Sequence, residues 1–135
     1  MALMLDVEEA YVELPQTLVR LARDGAWIDA WALIDTGADV SLFDTELASG
    51  LALSAARPDR RITVSGIGGP RRHIPFWRLA ISPAVLPIRV GLLVGFVPGL
   101  AKSTGNLLGR DFLESLHFGL DHRNRLLYVG SPGRR

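Results

Sequence analysis

The stretch of sequence that decides the fold spans residues 32–39 and reads Ala32-Leu33-Ile34-Asp35-Thr36-Gly37-Ala38-Asp39. It places a carboxylate at the end of an apolar strand, directly before a turn that only small residues fit. A carboxylate in that position is held rigidly beside other groups while its oxygens stay open to a cleft. The stretch therefore predicts a strand that ends in a polar site, with Asp35 as the candidate reactive group.

The composition is that of a globular domain. The chain has 135 residues, of which 48% are hydrophobic and 21% are charged, enough for a sizeable core. A formal net charge of +1 gives no general electrostatic case for binding nucleic acid. The absence of cysteine excludes disulfides and thiolate metal sites. We expect one domain over residues 1–135, with its core at about 18–116, a C-terminal hairpin at 118–129 and a frayed tail at 130–135.

The sequence gives no sign of a targeting or membrane segment. The apolar start, Met1 to Leu5, is followed at once by acidic residues and is too short for a signal peptide. The most apolar run, Val90 to Ala101, contains glycine and proline and falls short of the ~20 residues of a membrane helix. We therefore expect a soluble, cytoplasmic protein with no membrane partner.

Two hairpins are predicted in the first half of the chain. Asp24-Gly25 lies between apolar runs at 17–23 and 26–34, and this dipeptide favours the turn with φ > 0 that joins two strands. A second hairpin is predicted between residues 62–64 and 74–81, around a glycine-rich tip.

The second half of the chain predicts two more strand pairs and little helix. The strand pairs are expected over 83–94, broken by Pro87, and around residues 122–124. A short turn of helix is expected at 43–51. A helix of two turns is expected over Gly109 to Leu116, because three apolar residues recur there at spacings of three and four. The fold class is therefore all-β and barrel-like, with one short helix near the C-terminus.

A second motif decides how the Asp-Thr-Gly triplet is interpreted. Alone, the triplet also fits a plain turn in which Asp35 accepts hydrogen bonds from backbone N–H groups. The run from Asn106 to Arg110 adds two apolar residues, a glycine and an arginine that opens a helix. With the glycine-tipped hairpin between these motifs, the chain resembles the retropepsins, which are retroviral-type aspartic proteases with single-lobe cellular and bacterial relatives. The resemblance covers about residues 18 to 116 and implies a single-lobe acid-protease barrel with a flap hairpin.

The resemblance implies a role for each residue of the active loop. Asp35 would be the catalytic carboxylate, Thr36 would hold the two active loops of a dimer together, and Gly37 would let the backbone approach the substrate. Asp39 would face the substrate backbone and form an ion pair with Arg110. We expect that pair to be partly buried, so that removing one partner costs about 3–5 kcal/mol.

The remaining site residues follow from the same resemblance. The flap tip that would close over a bound peptide consists of Gly66, Ile67, Gly68 and Gly69. The substrate pockets would be lined by Leu33, Val40 and Leu107. For Leu33 and Leu107, a place in the core is an equally good interpretation. Ala38 would support the active loop, and it lacks the hydroxyl with which Ser or Thr could hydrogen-bond the catalytic carboxylate.

One triplet supplies half of an aspartic protease site. The reaction needs two carboxylates that share one proton, one to activate water and the other to protonate the peptide carbonyl. The resemblance therefore implies a homodimeric endopeptidase with Asp35 of each copy on the two-fold axis, acting on peptides or proteins without metal or cofactor. Two alternatives stay open, namely a non-catalytic peptide-binding or dimerisation module and a self-processing or regulatory protease with one target.

The chain departs from the retroviral pattern in three places. The loop at 96–105 is longer, and Gly105 stands where those enzymes carry a larger apolar residue at the first pocket. Beyond Leu116 the chain forms its own hairpin, so the contact between subunits is expected to differ. Two features are interpreted as structural or solvated, the histidines His117 and His122 and the charged edge formed by Arg71, Arg72 and His73.

Overall fold

Strands dominate the computed structural model, which describes residues 7–11, 14–53, 56–65 and 71–130. The strands in this part of the chain are β1 (Val7–Ala10), β2 (Gln16–Arg23), β3 (Ala26–Ile34), β4 (Leu42–Asp44), β5 (Arg60–Val64), β6 (Arg72–Pro83), β7 (Val90–Val97), β8 (Leu107–Leu108), β9 (His117–Asp121) and β10 (Leu126–Gly130). The helical segments are the α-helix α1 (Arg110–Leu113) and two 3₁₀ helices at Thr45–Leu51 and Leu100–Lys102.

The strands form two sheets. The larger sheet has the order β2-β3-β8-β4-β7-β6-β5, and it closes into a ring because β2 also pairs with β6. Two of its pairings, β3 with β8 and β4 with β7, are parallel. The smaller sheet has the order β1-β10-β9. The predicted all-β fold with one short helix near the C-terminus is therefore confirmed.

The Asp24-Gly25 hairpin forms as predicted. Strands β2 and β3 pair antiparallel up to Arg23 and Ala26, which leaves two residues in the turn. Both turn residues have positive φ, 49° at Asp24 and 86° at Gly25, as the favoured two-residue turn requires. Alternate residues of both strands face the core, so the hairpin forms one wall of the barrel with a solvated outer face.

The other predicted hairpins are also present. Strands β5 and β6 pair antiparallel up to Val64 and Arg72, and the predicted flap tip, Gly66 to Gly69, lies outside the described residues. Strands β9 and β10 form the closing hairpin, which extends to Gly130, and residues 131–135 lie outside the described part. Strand β1, which the sequence analysis did not predict, adds to the outer edge of β10.

The prediction of a strand pair inside residues 83–94 is wrong. Strand β6 runs on to Pro83, and β7 begins at Val90, so the two strands pair with each other across a connection. Pro87 lies in that connection, where its missing N–H costs no ladder hydrogen bond. The loop expected over 96–105 begins later, at Pro98, because its first two residues belong to β7.

Both helix predictions were too long. In the segment 43–51, the first two residues belong to β4, and a 3₁₀ helix begins only at Thr45. Helix α1 is a single turn instead of two, and beyond it the N–H groups of Ser115 and Leu116 bond to carbonyls three residues back. Phe112, Leu113 and Leu116 are all buried. Their spacing therefore reports a buried face, which continues past the end of the helix.

The core has two parts. The larger cluster fills the ring and contains Phe43, Phe112 and the edge-to-face pair Trp77 and Phe96, whose ring centroids are 5.6 Å apart. The smaller cluster packs beneath the β5–β6 hairpin and consists of Leu42, Ile74, Phe76, Val97 and Leu100, with Val40, Ile62, Val64 and Leu93 against it. The hairpin is therefore anchored by apolar contacts to the same wall that carries the active loop.

Asp44 is a buried carboxylate that joins three segments. Its side chain is 4% exposed, and it accepts hydrogen bonds from Glu46 N at 2.9 Å and from Ala101 N at 2.7 Å. The Asp44 N–H donates to Asn106 Oδ1 at 2.8 Å. Both carboxylate oxygens are therefore occupied by backbone donors, one of which caps the 3₁₀ helix.

We predict that Asp44→Asn destabilises the protein by about 1–3 kcal/mol. The amide replaces one accepting oxygen by a donor, which leaves a buried N–H group opposed by another N–H. Chemical denaturation of both proteins measures the difference. The matched control is Asp24→Asn, because Asp24 is exposed and Asn is equally suited to a turn with φ > 0. Equal denaturation midpoints for the two variants would contradict this account of Asp44.

Candidate active site

The carboxylate of Asp35 is oriented by the turn that follows it. Strand β3 ends at Ile34, and the Asp35 N–H donates to Leu108 O at 3.0 Å. Gly37 N donates to Asp35 Oδ1 at 2.9 Å, and Ala38 N donates to Asp35 O at 3.2 Å. The half-buried side chain is thus held through one oxygen by the backbone of its own turn.

Strand β8 clamps the two ends of the active loop. Leu107 pairs with Leu33 at the end of β3, in parallel, and with Leu42 at the start of β4, antiparallel. Leu108 pairs with Ile34 immediately before Asp35. The two apolar residues of the second motif therefore form the strand that fixes where the loop begins and ends.

Gly109 allows the next residues to cross directly under the loop. A Cβ at this position would lie 2.5 Å from Val40 O and 2.8 Å from Ala38 O, both backbone atoms. The same close approach lets Arg110 N donate to Ala38 O at 2.8 Å. Because the backbone atoms have no room to move aside, only glycine fits.

Ser41 and Asp111 form a polar anchor that the sequence analysis missed. Ser41 is fully buried, and its hydroxyl donates to Asp111 Oδ1 at 2.7 Å while accepting from Gly109 N at 3.1 Å. Ser41 N also donates to Asp111 Oδ2 at 3.1 Å. The sequence did carry a signal for each partner. Asp111 lies in the first turn of a helix, and Ser41 follows the apolar residue Val40, so both side chains were candidates for hydrogen bonds.

Asn106 joins the active loop to the strands on both sides of it. Its side-chain amide donates to Trp31 O at 2.9 Å and accepts from Asp44 N at 2.8 Å, while its backbone carbonyl accepts from Leu33 N at 2.8 Å. The sequence analysis placed Asn106 in the second motif without a role. An amide is suited to this place because it supplies a donor and an acceptor together.

Asp39 and Arg110 form the predicted ion pair, through Oδ1 and the guanidinium. The predicted burial is wrong, because the Asp39 and Arg110 side chains are 78% and 55% exposed. Arg110 is the first residue of α1 and points along the surface of the loop, so both charges keep contact with water. The expected cost of 3–5 kcal/mol therefore does not apply to this pair within one copy of the chain.

A cleft of about 380 Å³ opens over the loop. Of the predicted site residues, the structure brings together Asp35, Gly37, Ala38, Asp39, Val40 and Leu107 along this cleft, with Leu42 and residues 62–65 completing its lining. Thr36 is exposed beside it, and Leu33 is half-buried and does not line it. The active loop and strand β5 thus face each other across this cleft.

Within the ranges that the structure describes, no group of three or more His, Asp or Glu side chains is arranged to hold a metal ion. No helix in these ranges is long and apolar enough to cross a membrane.

We predict that Gly109→Ala lowers the stability of the fold by about 1–3 kcal/mol, because the new methyl group overlaps backbone atoms of the active loop. Thermal unfolding checks this. Gly91→Ala is the control, because Gly91 lies within strand β7 and a Cβ there meets nothing within 4 Å. If both variants melt at the same temperature, the close approach at Gly109 is not a constraint.

We predict that Arg110→Ala changes the free energy of unfolding by less than about 1 kcal/mol, because the ion pair with Asp39 is exposed. Urea denaturation is measured for wild type, Arg110→Ala, Asp39→Ala and the double variant. This double-mutant cycle gives the coupling free energy between the two charges. A loss of 3 kcal/mol or more would show that the pair is shielded from water after all.

Comparison with known proteins identifies the fold. By sequence, no protein-family model and no curated protein matches the chain. Among solved structures, the chain is similar to a retropepsin-like aspartic protease from Rickettsia conorii, with a TM-score of 0.56 and 20% identity over 91% of this chain and 96% of that one. It is also similar to the retroviral protease-like domain of Ddi1 from Leishmania major, with a TM-score of 0.53 and 17% identity over 89% of this chain and 96% of that one.

A viral enzyme shares more sequence but superposes less well. The EIAV protease complexed with the inhibitor HBY-793 is 27% identical over 75% of this chain and 86% of that chain, with a TM-score of 0.44. The likeness to the two cellular structures spans most of the chain, and it agrees with the resemblance drawn from the motifs. The chain therefore has the fold of the retropepsin-like aspartic proteases.

Proposed function

We propose that this protein is an aspartic endopeptidase that works as a homodimer. The observation that carries the proposal is the Asp35 carboxylate on the floor of the cleft, oriented by Gly37 N and by the pairing of its strand with β8. A half-buried carboxylate held in this way keeps one oxygen for a ligand. The likeness in fold to aspartic proteases supports the same conclusion.

The chemistry requires a second carboxylate. In the proposed dimer, the Asp35 side chains of the two copies share one proton across the two-fold axis. The ionised carboxylate takes a proton from a water molecule, whose oxygen attacks the carbonyl carbon of the peptide, and the protonated carboxyl gives its proton to the carbonyl oxygen. The carboxyl that took the water's proton then gives it to the nitrogen as the C–N bond breaks, and the other carboxylate takes back the proton of one hydroxyl as the new carboxylic acid group forms.

The surrounding residues suit an extended peptide. Val40, Leu107 and Ile62 give the cleft apolar surface for side chains, and the backbone of the active loop is open beside them. Main-chain hydrogen bonds would supply affinity, as in other sites where a peptide binds as a strand. Thr36 is exposed next to Asp35, where it can meet the partner copy.

A non-catalytic peptide-binding or dimerisation module is the second candidate. The same cleft and the same apolar lining serve binding without hydrolysis, and one copy supplies one Asp35. The two candidates differ in whether the Asp35 carboxylate is needed for turnover. The cytoplasmic location and the roles given to residues 66–69 stay predictions.

We predict that wild-type protein cleaves members of a diverse peptide mixture and that Asp35→Asn lowers the rate at least ~100-fold. Asp24→Asn is the matched control, since it makes the same chemical change at an exposed turn. The products are identified by mass spectrometry, and sedimentation measures the dimer content of each protein. Cleavage that persists in Asp35→Asn would contradict the proposal, and peptide binding without cleavage would favour the module.

Mixing subunits tests the shared site directly. When wild-type protein is equilibrated with an equal amount of Asp35→Asn, about half of its subunits enter mixed dimers that lack one carboxylate. The rate of this mixture should therefore be about half the rate of the wild-type protein measured alone. A mixture with the active control Asp24→Asn should instead show about the sum of the two separate rates. Undiminished activity in the presence of exchanged Asp35→Asn subunits would show that one copy suffices.

A further inference from the structure

The β5–β6 hairpin, which faces the active loop across the cleft, is strongly basic. Arg60, Arg61, Arg71 and Arg72 are all exposed. In the described part of the chain, none of these four side chains contacts a carboxylate. The sequence analysis interpreted this edge as solvated charge, and the strand register now gives one of the arginines a more specific place.

The carboxylate nearest in sequence to these arginines is already in use. Asp59 accepts a hydrogen bond from Arg78 N at 2.7 Å and one from the Arg23 guanidinium at 2.9 Å. These contacts, the backbone one first, lower the pKa of Asp59. Asp59 therefore stays ionised and engaged at the base of the hairpin, and within the described ranges the arginines nearer the cleft have no carboxylate partner.

Arg72 stands on the side of the hairpin that faces the cleft. It lies directly opposite Val64, and Ile74 lies directly opposite Ile62. Directly opposite residues of an antiparallel pair project from the same face, with Cβ atoms about 5 Å apart. Residues 62–65 all line the cleft, whereas Arg72 itself does not. Ile62 and Val64 pack with Ile74 on the cluster that contains Leu42 from the loop side, so the face that they share with Arg72 is turned toward the loop. The Arg72 side chain, some six atoms long, therefore starts beside the lining of the cleft and can reach into its mouth.

The acidic groups on the opposite side of the cleft do not satisfy Arg72. Asp39 is paired with Arg110 on its own side, and Asp35, the other carboxylate of the cleft, forms no ion pair with Arg72. Residues 66–70, which join β5 to β6, have the sequence Gly-Ile-Gly-Gly-Pro and contain no charge. Among the described residues, no side-chain or backbone acceptor is found for the Arg72 guanidinium. A guanidinium in this state at the rim of a binding cleft is suited to a carboxylate that arrives with the ligand.

We infer that Arg72 is a specificity-determining residue that selects an acidic side chain in the bound peptide. The inference rests on the proposed function, because it takes the peptide cleft as the site. The planar guanidinium accepts an Asp or Glu carboxylate of the peptide in a bidentate pair. Arg71, the neighbouring residue in sequence, adds positive charge at the same rim and attracts acidic peptides from solution.

The test uses peptide pairs that are cleaved or bound by the protein and differ only by Glu or Gln at one position. For a peptide that wild type cleaves, Glu and Gln are placed at each position in turn and the cleavage rates are compared. For a fluorophore-labelled peptide that the Asp35→Asn protein binds, the same replacements are made and the affinities are compared. For wild type, the Glu peptide should have a kcat/KM about two- to fivefold above that of the Gln peptide, the size expected of a solvent-exposed ion pair. The effect should appear in KM and should weaken as salt is raised.

Variants at one position separate charge from shape. Arg72→Gln should abolish the preference for Glu, and Arg72→Glu should invert it. Arg72→Lys should keep only part of it, because the charge remains while the bidentate pair is lost. Arg89→Gln is the control for net charge, because Arg89 is exposed and precedes Val90, which pairs with Ile81. That pairing lies nine residues from Arg72 along β6, or about 30 Å, so Arg89→Gln should leave the preference unchanged.

The outcomes distinguish this inference from the proposed function. Cleavage without any preference for Glu, or a preference that Arg72→Gln and Arg89→Gln change equally, would overturn the role of Arg72 and leave the endopeptidase intact. Binding of Glu peptides over Gln peptides to the Asp35→Asn protein, with no cleavage by wild type, would support Arg72 and overturn the endopeptidase. If wild type cleaves no peptide of the diverse mixture and the Asp35→Asn protein binds none, the role of Arg72 and the proposed endopeptidase are both overturned.

Discussion

The structure depends on the close approach between Gly109 and the underside of the active loop. The loop leaves β3 at Asp35 and returns at Ser41, and β8 fills the gap between its two ends. Because Gly109 has no side chain, its own N–H reaches the Ser41 hydroxyl, and the next residue, Arg110, donates its N–H to Ala38 O. An exposed turn thereby becomes rigid without being buried, as a functional carboxylate requires.

The polar groups around the loop fall into two kinds with different consequences. Ser41 and Asp44 are buried, and their hydrogen bonds go to protein partners, so they fix geometry and are unavailable to a ligand. Asp35 and Asp39 keep oxygens toward the cleft. The hydrogen bonds of the buried Ser41 and Asp44 therefore hold the loop that positions Asp35 and Asp39. Loss of a buried partner is thus expected to damage the site through the position of Asp35 and not through its chemistry.

Features governed by local chemistry were predictable from the sequence, and features governed by distant contacts were not. Asp24-Gly25 sets its own turn, so the turn of the first hairpin was predicted to the residue. The partner of Ser41 is 70 positions away, and β1 pairs with a strand from the other end of the chain. The exposure of the Asp39–Arg110 pair likewise depends on the surface around α1. The spacing of apolar residues near Leu116 reported burial correctly and helix length incorrectly, because a buried face does not need helical hydrogen bonds to continue.

The two sides of the cleft differ in how their charged side chains are paired. On the loop side of the cleft, Asp39 is matched by Arg110, so that side presents a nearly balanced charge apart from Asp35. On the hairpin side, the carboxylate at the base is engaged and the arginines toward the cleft are unmatched among the described residues. A buried network left unmatched would destabilise the chain, whereas exposed arginines remain solvated at little cost until a ligand replaces the water. Selectivity can therefore reside on the hairpin without weakening the loop that holds Asp35, since the two sides share an apolar cluster but no ion pair within the described residues.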